Sequence, residues 1–132
     1  PKYRNAVLRM SQRYDWKLLD NRFPHADDQA LGQAYLDLYK RDRKPERLAN
    51  TKEIMDRLVV RPDDPDKLLW WWCDALFMSP PVLLRTFAIT HDRKYLDYLH
   101  RFERQSLLFG KTRTTNRYHD EIRRQARGPA AP

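Results

Sequence analysis

An all-α chain of antiparallel helical hairpins is what this sequence predicts, and three observations carry that expectation. Apolar residues recur at spacings of three and four, with no convincing run of strand-like alternation. Glycine is confined to Gly32, Gly110 and Gly128, which disfavours tight β-hairpins and glycine-rich phosphate loops. The tripeptide Asp42-Arg43-Lys44 returns fifty residues later as Asp92-Arg93-Lys94, each time between an aromatic-containing helix and a following amphipathic one. Helix pairs recurring at such a period stack into a toroid or a solenoid.

A first helix is predicted from about Tyr3 to Leu19, with Val7, Leu8, Tyr14, Leu18 and Leu19 available for one face. Asp20 to His25 reads as a connector because Asn21 and Pro24 punctuate it. A second helix starts at Asp27 or Asp28, whose carboxylates suit the positive end of the helix dipole, and carries Leu31, Tyr35, Leu38 and Tyr39. After a turn at Asp42-Arg43-Lys44, Pro45 can open a third helix running to about Val60, since a first-turn N–H has no intrahelical partner to lose. Arg61 to Asp66 is an acidic loop, without the glycine and terminal glutamate of an EF-hand, and reads as solvated. Trp71 to Met78 is predicted as a short helical piece. Ser79 then caps a new helix that has Pro80 and Pro81 in its first turn and ends near His91-Asp92. Arg93 to about Arg104 forms the next helix, and Phe87, Tyr95, Tyr98 and Phe102 read as core aromatics.

The charge is uneven. Residues 101–132 hold eight Lys/Arg against three Asp/Glu, a surplus of five, and residues 1–100 hold eighteen against fifteen, a surplus of three, making up the formal +8. The basicity belongs mainly to a tail that is predicted to be poorly ordered from about Ser106, with a short helix over Tyr118 to Ala126. Nucleic-acid binding through such a tail would be nonspecific and salt-dependent, and no DNA- or RNA-reading motif is present, so no specific nucleic acid is expected. Cys73 is the lone cysteine, which excludes an intrachain disulfide and leaves a buried, inert thiol as the expectation. The longest apolar stretch, Leu68 to Met78, is interrupted by Asp74 and falls short of the roughly 20 residues of a membrane span, so no membrane partner is expected. The sequence opens at Pro1 without Met or an apolar leader, so the true N-terminus is expected upstream and the compartment is left open.

The most informative segment is Trp70-Trp71-Trp72-Cys73-Asp74-Ala75-Leu76-Phe77-Met78-Ser79-Pro80-Pro81. A carboxylate wedged between indoles and a greasy run loses solvation, which favours its acid form, and a carboxyl titrating near neutrality suits general acid catalysis. Flat indoles also suit a sugar ring. The plain alternative is a buried Asp74 that caps a helix amid core aromatics. The histidines, His25, His91, His100 and His119, lack metal-ligand spacing, and Ser79 lacks a nucleophile elbow, so neither a metal nor a serine nucleophile is expected. Trp70 and Trp71 read as part core and part cleft wall.

From Trp72 to Pro81 the sequence resembles the hallmark segment of the unsaturated glucuronyl and rhamnogalacturonyl hydrolases, glycoside hydrolase families 88 and 105. A second block, Asn21 to Tyr39 with Phe23-Pro24-His25-Ala26-Asp27-Asp28-Gln29-Ala30-Leu31-Gly32, and a third, His91 to Tyr98, follow the family's order over roughly residues 14–100. The resemblance implies a partial (α/α)6 toroid over residues 1–105, followed by the basic tail 106–132. It implies substrates that are oligosaccharides ending in a 4,5-unsaturated uronic acid, with no metal or organic cofactor. Asp74 matches the catalytic carboxyl and Trp72 a tryptophan of the adjacent sugar subsite. In the pair Asp27-Asp28, Asp28 is the better match for a second cleft carboxylate, and His25 would face the same cleft.

A complete (α/α)6 ring needs more hairpins than this sequence supplies, and the resemblance fades after about Arg101. The chain therefore corresponds to a fragment or a truncated gene product, whose uncovered hairpin faces would favour self-association. The rival reading is a helical-repeat interaction module, because Leu31-Gly32-Gln33-Ala34-Tyr35 fits the core of a tetratricopeptide unit. That unit repeats every about 34 residues rather than 50, and gives the Trp-Cys-Asp hallmark no place.

Overall fold

A computed structural model describes residues 2–64, 66–72 and 74–109, with the side chains of 107–109 excepted. The predicted tail helix over Tyr118 to Ala126 and the predicted burial of Cys73 lie outside the described residues. Every regular element among those described is helical: α1 (Lys2–Arg13), α2 (Ala26–Gln29), α3 (Leu31–Asp42), α4 (Glu46–Val59), α5 (Ala75–Met78), α6 (Pro80–Thr90) and α7 (Lys94–Phe109). The chain divides into two units, residues 1–99 and 100–132. In the second, only the end of α7 is described, where His100 lies 3.8 Å from Glu103 one turn on.

Helix α3 is the hub of the first unit and packs against both α4 and α6. Tyr35, Leu36 and Leu38 of α3, Ile54, Met55 and Leu58 of α4 and Val82 and Leu83 of α6 are all buried. The close approach is set by Gly32. A Cβ there would stand 2.9 Å from Val82 Cγ1 and 3.0 Å from Thr51 Cγ2, so the absent side chain lets three helices meet at one point. Helix α3 ends at Arg43 and α6 at His91, both left-handed with φ of 57° and 58° and each donating its N–H back to the preceding turn, at Tyr39 and Phe87. The two caps are 48 residues apart, so the recurring Asp-Arg-Lys straddles the end of α3 but lies just past the cap of α6.

The first helix is shorter than its apolar spacing predicts. It stops at Arg13 because Asp15 and Trp16 adopt left-handed backbone, with φ of 51° and 55°, and turn the chain inward. That turn buries Trp16 edge-on against Tyr35, 5.5 Å between ring centroids, under the Arg47 guanidinium at 4.8 Å. Leu18 N–H donates to Asn50 Oδ1 (2.8 Å) and Tyr35 Oη to Lys17 O (3.2 Å), which pins the segment to α3 and α4. Two hydrogen bonds and a buried indole outweigh the cost of left-handed residues, about 1–2 kcal/mol each. Tyr14 and Leu19, expected on the helix's apolar face, are exposed. Helix α4 begins one residue after the position predicted for Pro45, which serves as its N-cap.

Where α7 meets α4, Asp56 accepts hydrogen bonds from Lys52 (2.7 Å) and from the Tyr95 hydroxyl, while Lys94 Nζ stands 3.0 Å from both Asp56 and Asp92. Burial works to raise the Asp56 pKa, but hydrogen bonds from Lys52, Tyr95 and Lys94 outweigh it and hold the carboxyl below its ordinary value. Burial and the Asp56 charge push the Tyr95 phenol well above its usual value.

Two outcomes follow from this packing. Gly32→Leu should lower the unfolding free energy by about 1–3 kcal/mol or more, read as a fall in denaturant midpoint, because β-branched Val82 and Thr51 have little room to yield. Asp56 has a folded pKa below its unfolded one, so its contribution is present above the ordinary carboxylate value and is lost as pH falls through the folded value. Asp56→Asn should lower Tm by about 4–8 °C at neutral pH, the effect of roughly 1 kcal/mol. In an acid titration of Tm, the same variant should show a shallower decline than the parent chain.

Candidate active site

Two segments distant in sequence, 24–33 and 70–79, are bound together along their length. Trp70 is buried and its Nε1–H donates to Pro24 O at 3.1 Å. His25 lies against the Trp72 ring, 4.9 Å between centroids and tilted by 34°. The buried Ser79 hydroxyl donates to Gln29 Oε1. Gln33 Nε2 donates to two carbonyls, Phe77 O at 2.7 Å and Met78 O at 3.0 Å. Helix α2 accordingly packs on α5.

The last of these bonds has a cause in the sequence. In a continuous helix, the carbonyl of residue 77 would accept from the N–H of residue 81, but Pro81 has none. The Val82 N–H turns instead to Ser79 O (2.9 Å). Helix α5 is a single turn whose end carbonyls therefore lack intrahelical donors, and the Gln33 amide supplies them.

The second carboxylate pair is split by its surroundings. Asp28 is buried, and its carboxylate receives the Arg22 guanidinium in a two-pronged bond, one prong from Nε at 3.2 Å and the other from the terminal nitrogen. Such a fork is the strong geometry for a guanidinium and a carboxylate. Asp27 stays exposed, 3.9 Å from the same Arg22 and 3.4 Å from His25 Nδ1. His25 occupies the N-cap of α2 and its Nδ1 accepts the Asp27 backbone N–H at 3.4 Å. That nitrogen cannot accept this N–H and donate to the Asp27 carboxylate at once.

Asp74 differs from its expectation. It stands at the N-cap of α5 but makes no capping bond, and it is exposed rather than desolvated. The reason is local. Helix α5 starts only at Ala75, not at Trp71 as predicted, and the neighbouring Trp71 and Phe77 are 70% and 79% exposed. The three tryptophans take three roles: Trp70 is core, Trp71 is exposed and stands edge-on to Trp72 at 5.9 Å, and Trp72 is half-buried against His25. Ser79 holds the cap position of α6 as predicted, but its hydroxyl goes to Gln29 instead of capping.

Trp72, His25, Asp27 and Asp28 are thus gathered by α2 and the 70–79 segment, with Asp74 on that segment's next turn. Arg22, Gln29 and Gln33 were not singled out from sequence. The double proline was the available signal for Gln33, since it strips donors that something must replace. No group of three metal-ligating side chains occurs among the described residues, and no helix there is long and apolar enough to cross a membrane.

Replacing Arg22 by Gln should lower the urea midpoint of unfolding, because the buried Asp28 carboxylate loses its partner. Adding Asp28→Asn should restore most of that loss; a fully additive double variant would contradict the coupling.

The model of Glycosyl Hydrolase Family 88 matches residues 1–132. An unsaturated 3S-rhamnoglycuronyl hydrolase of Formosa agariphila is 34% identical over 112 residues, covering 76% of this chain and 29% of that protein. A second such hydrolase, from an Alteromonas species, is 31% identical over 111 residues, covering 70% of this chain and 27% of that protein. The chain therefore spans less than a third of the length of these curated relatives. Among solved structures, a glycosyl hydrolase family 88 protein from Bacteroides vulgatus aligns over 76% of this chain and 32% of its own, with a TM-score of 0.65 and 27% identity. A polysaccharide lyase aligns over 85% of this chain and 34% of its own, at a TM-score of 0.67 and 24% identity, a likeness of fold alone. Hairpins in this arrangement are a partial α/α toroid.

Proposed function

Starting from the fact that this chain belongs to glycosyl hydrolase family 88, we propose that it carries the acid end of a glycoside hydrolase acting on oligosaccharides with a terminal 4,5-unsaturated uronic acid. The observation that carries this reading is the ring contact between His25 and Trp72, which joins the Phe23–Asp28 and Trp72–Pro81 segments at one place. The curated relatives are unsaturated 3S-rhamnoglycuronyl hydrolases, which supports the substrate class.

The chemistry follows from the substrate. Its C4=C5 bond is an enol ether, made electron-rich by the ring oxygen. Asp74 in its acid form gives a proton to C4, and positive charge develops at C5, shared with the ring oxygen. The Asp74 carboxylate then takes a proton from a water that adds at C5. The product is a hemiketal, which opens and releases the neighbouring sugar. One carboxyl serves as acid and then base, unlike the paired carboxylates of ordinary glycosidases. Trp72 offers a flat apolar face to the sugar, with His25 behind it. Asp28, fixed by Arg22, is the anchored carboxylate of the cleft, and Asp27 stands at its exposed edge.

An exposed Asp74 must be desolvated to begin as the acid. The bound sugar ring, with walls contributed by lengths of the family that this chain does not span, supplies that desolvation. The exposed Trp71, Phe77, Leu76 and Leu84 serve contacts with further hairpins or, in this chain alone, self-association. No role is given to a cofactor, a nucleic acid or a membrane. The tetratricopeptide alternative is not favoured, since Gly32 of its apparent motif serves the contact of α3 with Val82 and Thr51.

The test uses disaccharides produced by a polysaccharide lyase and follows the ultraviolet absorbance of the conjugated double bond. Asp74→Asn should slow its loss by about 10²–10⁴-fold, the usual share of a general acid–base group. Trp72→Ala should raise KM more than it lowers kcat. Equal rates in Asp74→Asn and its parent would refute the assignment.

A further inference from the structure

We propose that Gln33 is a positioning residue, which sets the height of Asp74 in the cleft by holding the far end of the turn that bears it; this rests on the role given to Asp74 above. Asp74 has no side-chain bond of its own to fix it at the α5 N-cap, so its place is set by backbone. That backbone is one helical turn, closed by Phe77 N–H to Asp74 O at 2.9 Å and Ser79 N–H to Ala75 O at 3.3 Å. A single turn is not self-supporting in water, because helix nucleation fixes several dihedrals for one bond. It needs an outside anchor.

The Gln33 amide is that anchor. Its two N–H bonds are given to Phe77 O and Met78 O, the carbonyls that Pro81 and the diverted Val82 N–H leave without donors. Gln33 lies one turn after Gln29 along the α2–α3 path, and Gln29 receives the Ser79 hydroxyl. Both amides face the same edge of the 74–79 turn, and α2 carries Asp27 and Asp28 immediately before them. The turn bearing Asp74 is therefore referenced to the helix bearing the second carboxylate, not to the solvent-exposed run around Trp71. Gln33 itself is only half-buried and contributes little to the core, which separates its positioning role from a packing one.

Gln33→Met keeps the length of the side chain and removes both donors. In this chain, amide hydrogen exchange over residues 75–79 should quicken at least tenfold, with little change over α4. With the unsaturated disaccharide, kcat should fall about 10–100-fold while KM stays within about threefold, the pattern of a misplaced reacting group. Gln33→Glu separates positioning from general weakening. Its acid form has one O–H to donate to a carbonyl, and its ionised form repels both. Relative to the parent, kcat of this variant should therefore recover as pH falls through the carboxylate range, a step that Gln33→Met lacks. Unchanged exchange over 75–79 in Gln33→Met overturns the inference, and so does a parental kcat in that variant when Asp74→Asn is inactive. Parental activity in Asp74→Asn overturns instead the catalytic role on which the inference stands.

Discussion

Two consecutive prolines at the start of α6 make the turn before them dependent on donors from elsewhere. Pro80 and Pro81 preset the entry to α6, but they withhold the N–H groups that would have closed α5 into it. The deficit is met by the Gln33 side-chain amide, which donates to the Phe77 and Met78 carbonyls, while Gln29 accepts from the Ser79 hydroxyl beside them. A local shortage of hydrogen-bond donors thereby becomes a long-range tie. The candidate acid at Asp74 is placed by the same tie.

The packing beneath is built to keep that tie in register. Gly32 lies on α3 immediately before Gln33, and its missing side chain lets Val82 of α6 come within contact. The approach of α6 brings Pro80, Pro81 and the carbonyls before them within reach of α3. Trp70, buried and bonded to Pro24, fixes the other end of the 70–79 segment and packs edge-on to Tyr98 at 6.5 Å. The loop carrying His25 and the turn carrying Asp74 are thus held from two sides, by the buried Trp70 at one end and the half-buried Gln33 at the other.

Electrostatics divides the acidic side chains by task. Asp56, wrapped by Lys52, Lys94 and Tyr95, is a joint between α4 and the start of α7. Asp28, buried under Arg22, is a fixed charge. Asp74, exposed and without a cap bond, is the one among these three whose environment a bound ligand can still change. Nothing in the residue type distinguishes them; their neighbours do.

The helices and their order were largely legible in the sequence, because periodicity and proline placement are local signals, although the predicted second helix is two, α2 and α3, and α7 runs on to Phe109 past the predicted end near Arg104. The hallmark around Asp74 and the His25–Asp28 block were legible too, as a resemblance. The first helix's end was not, since Trp16 leaves the helix only to fill a space between α3 and α4 that the local pattern cannot reveal. Nor was the exposure of Asp74, because three adjacent indoles read as a wall, whereas the backbone directs Trp70 inward and Trp71 outward. Periodicity, proline placement and the hallmark residues were enough for the all-α class, the hairpin order and the candidate acid. Only the fold decided that Gln33 restores the donors lost to proline, since a carbonyl's substitute partner is chosen by three-dimensional reach and leaves no periodic trace along the chain.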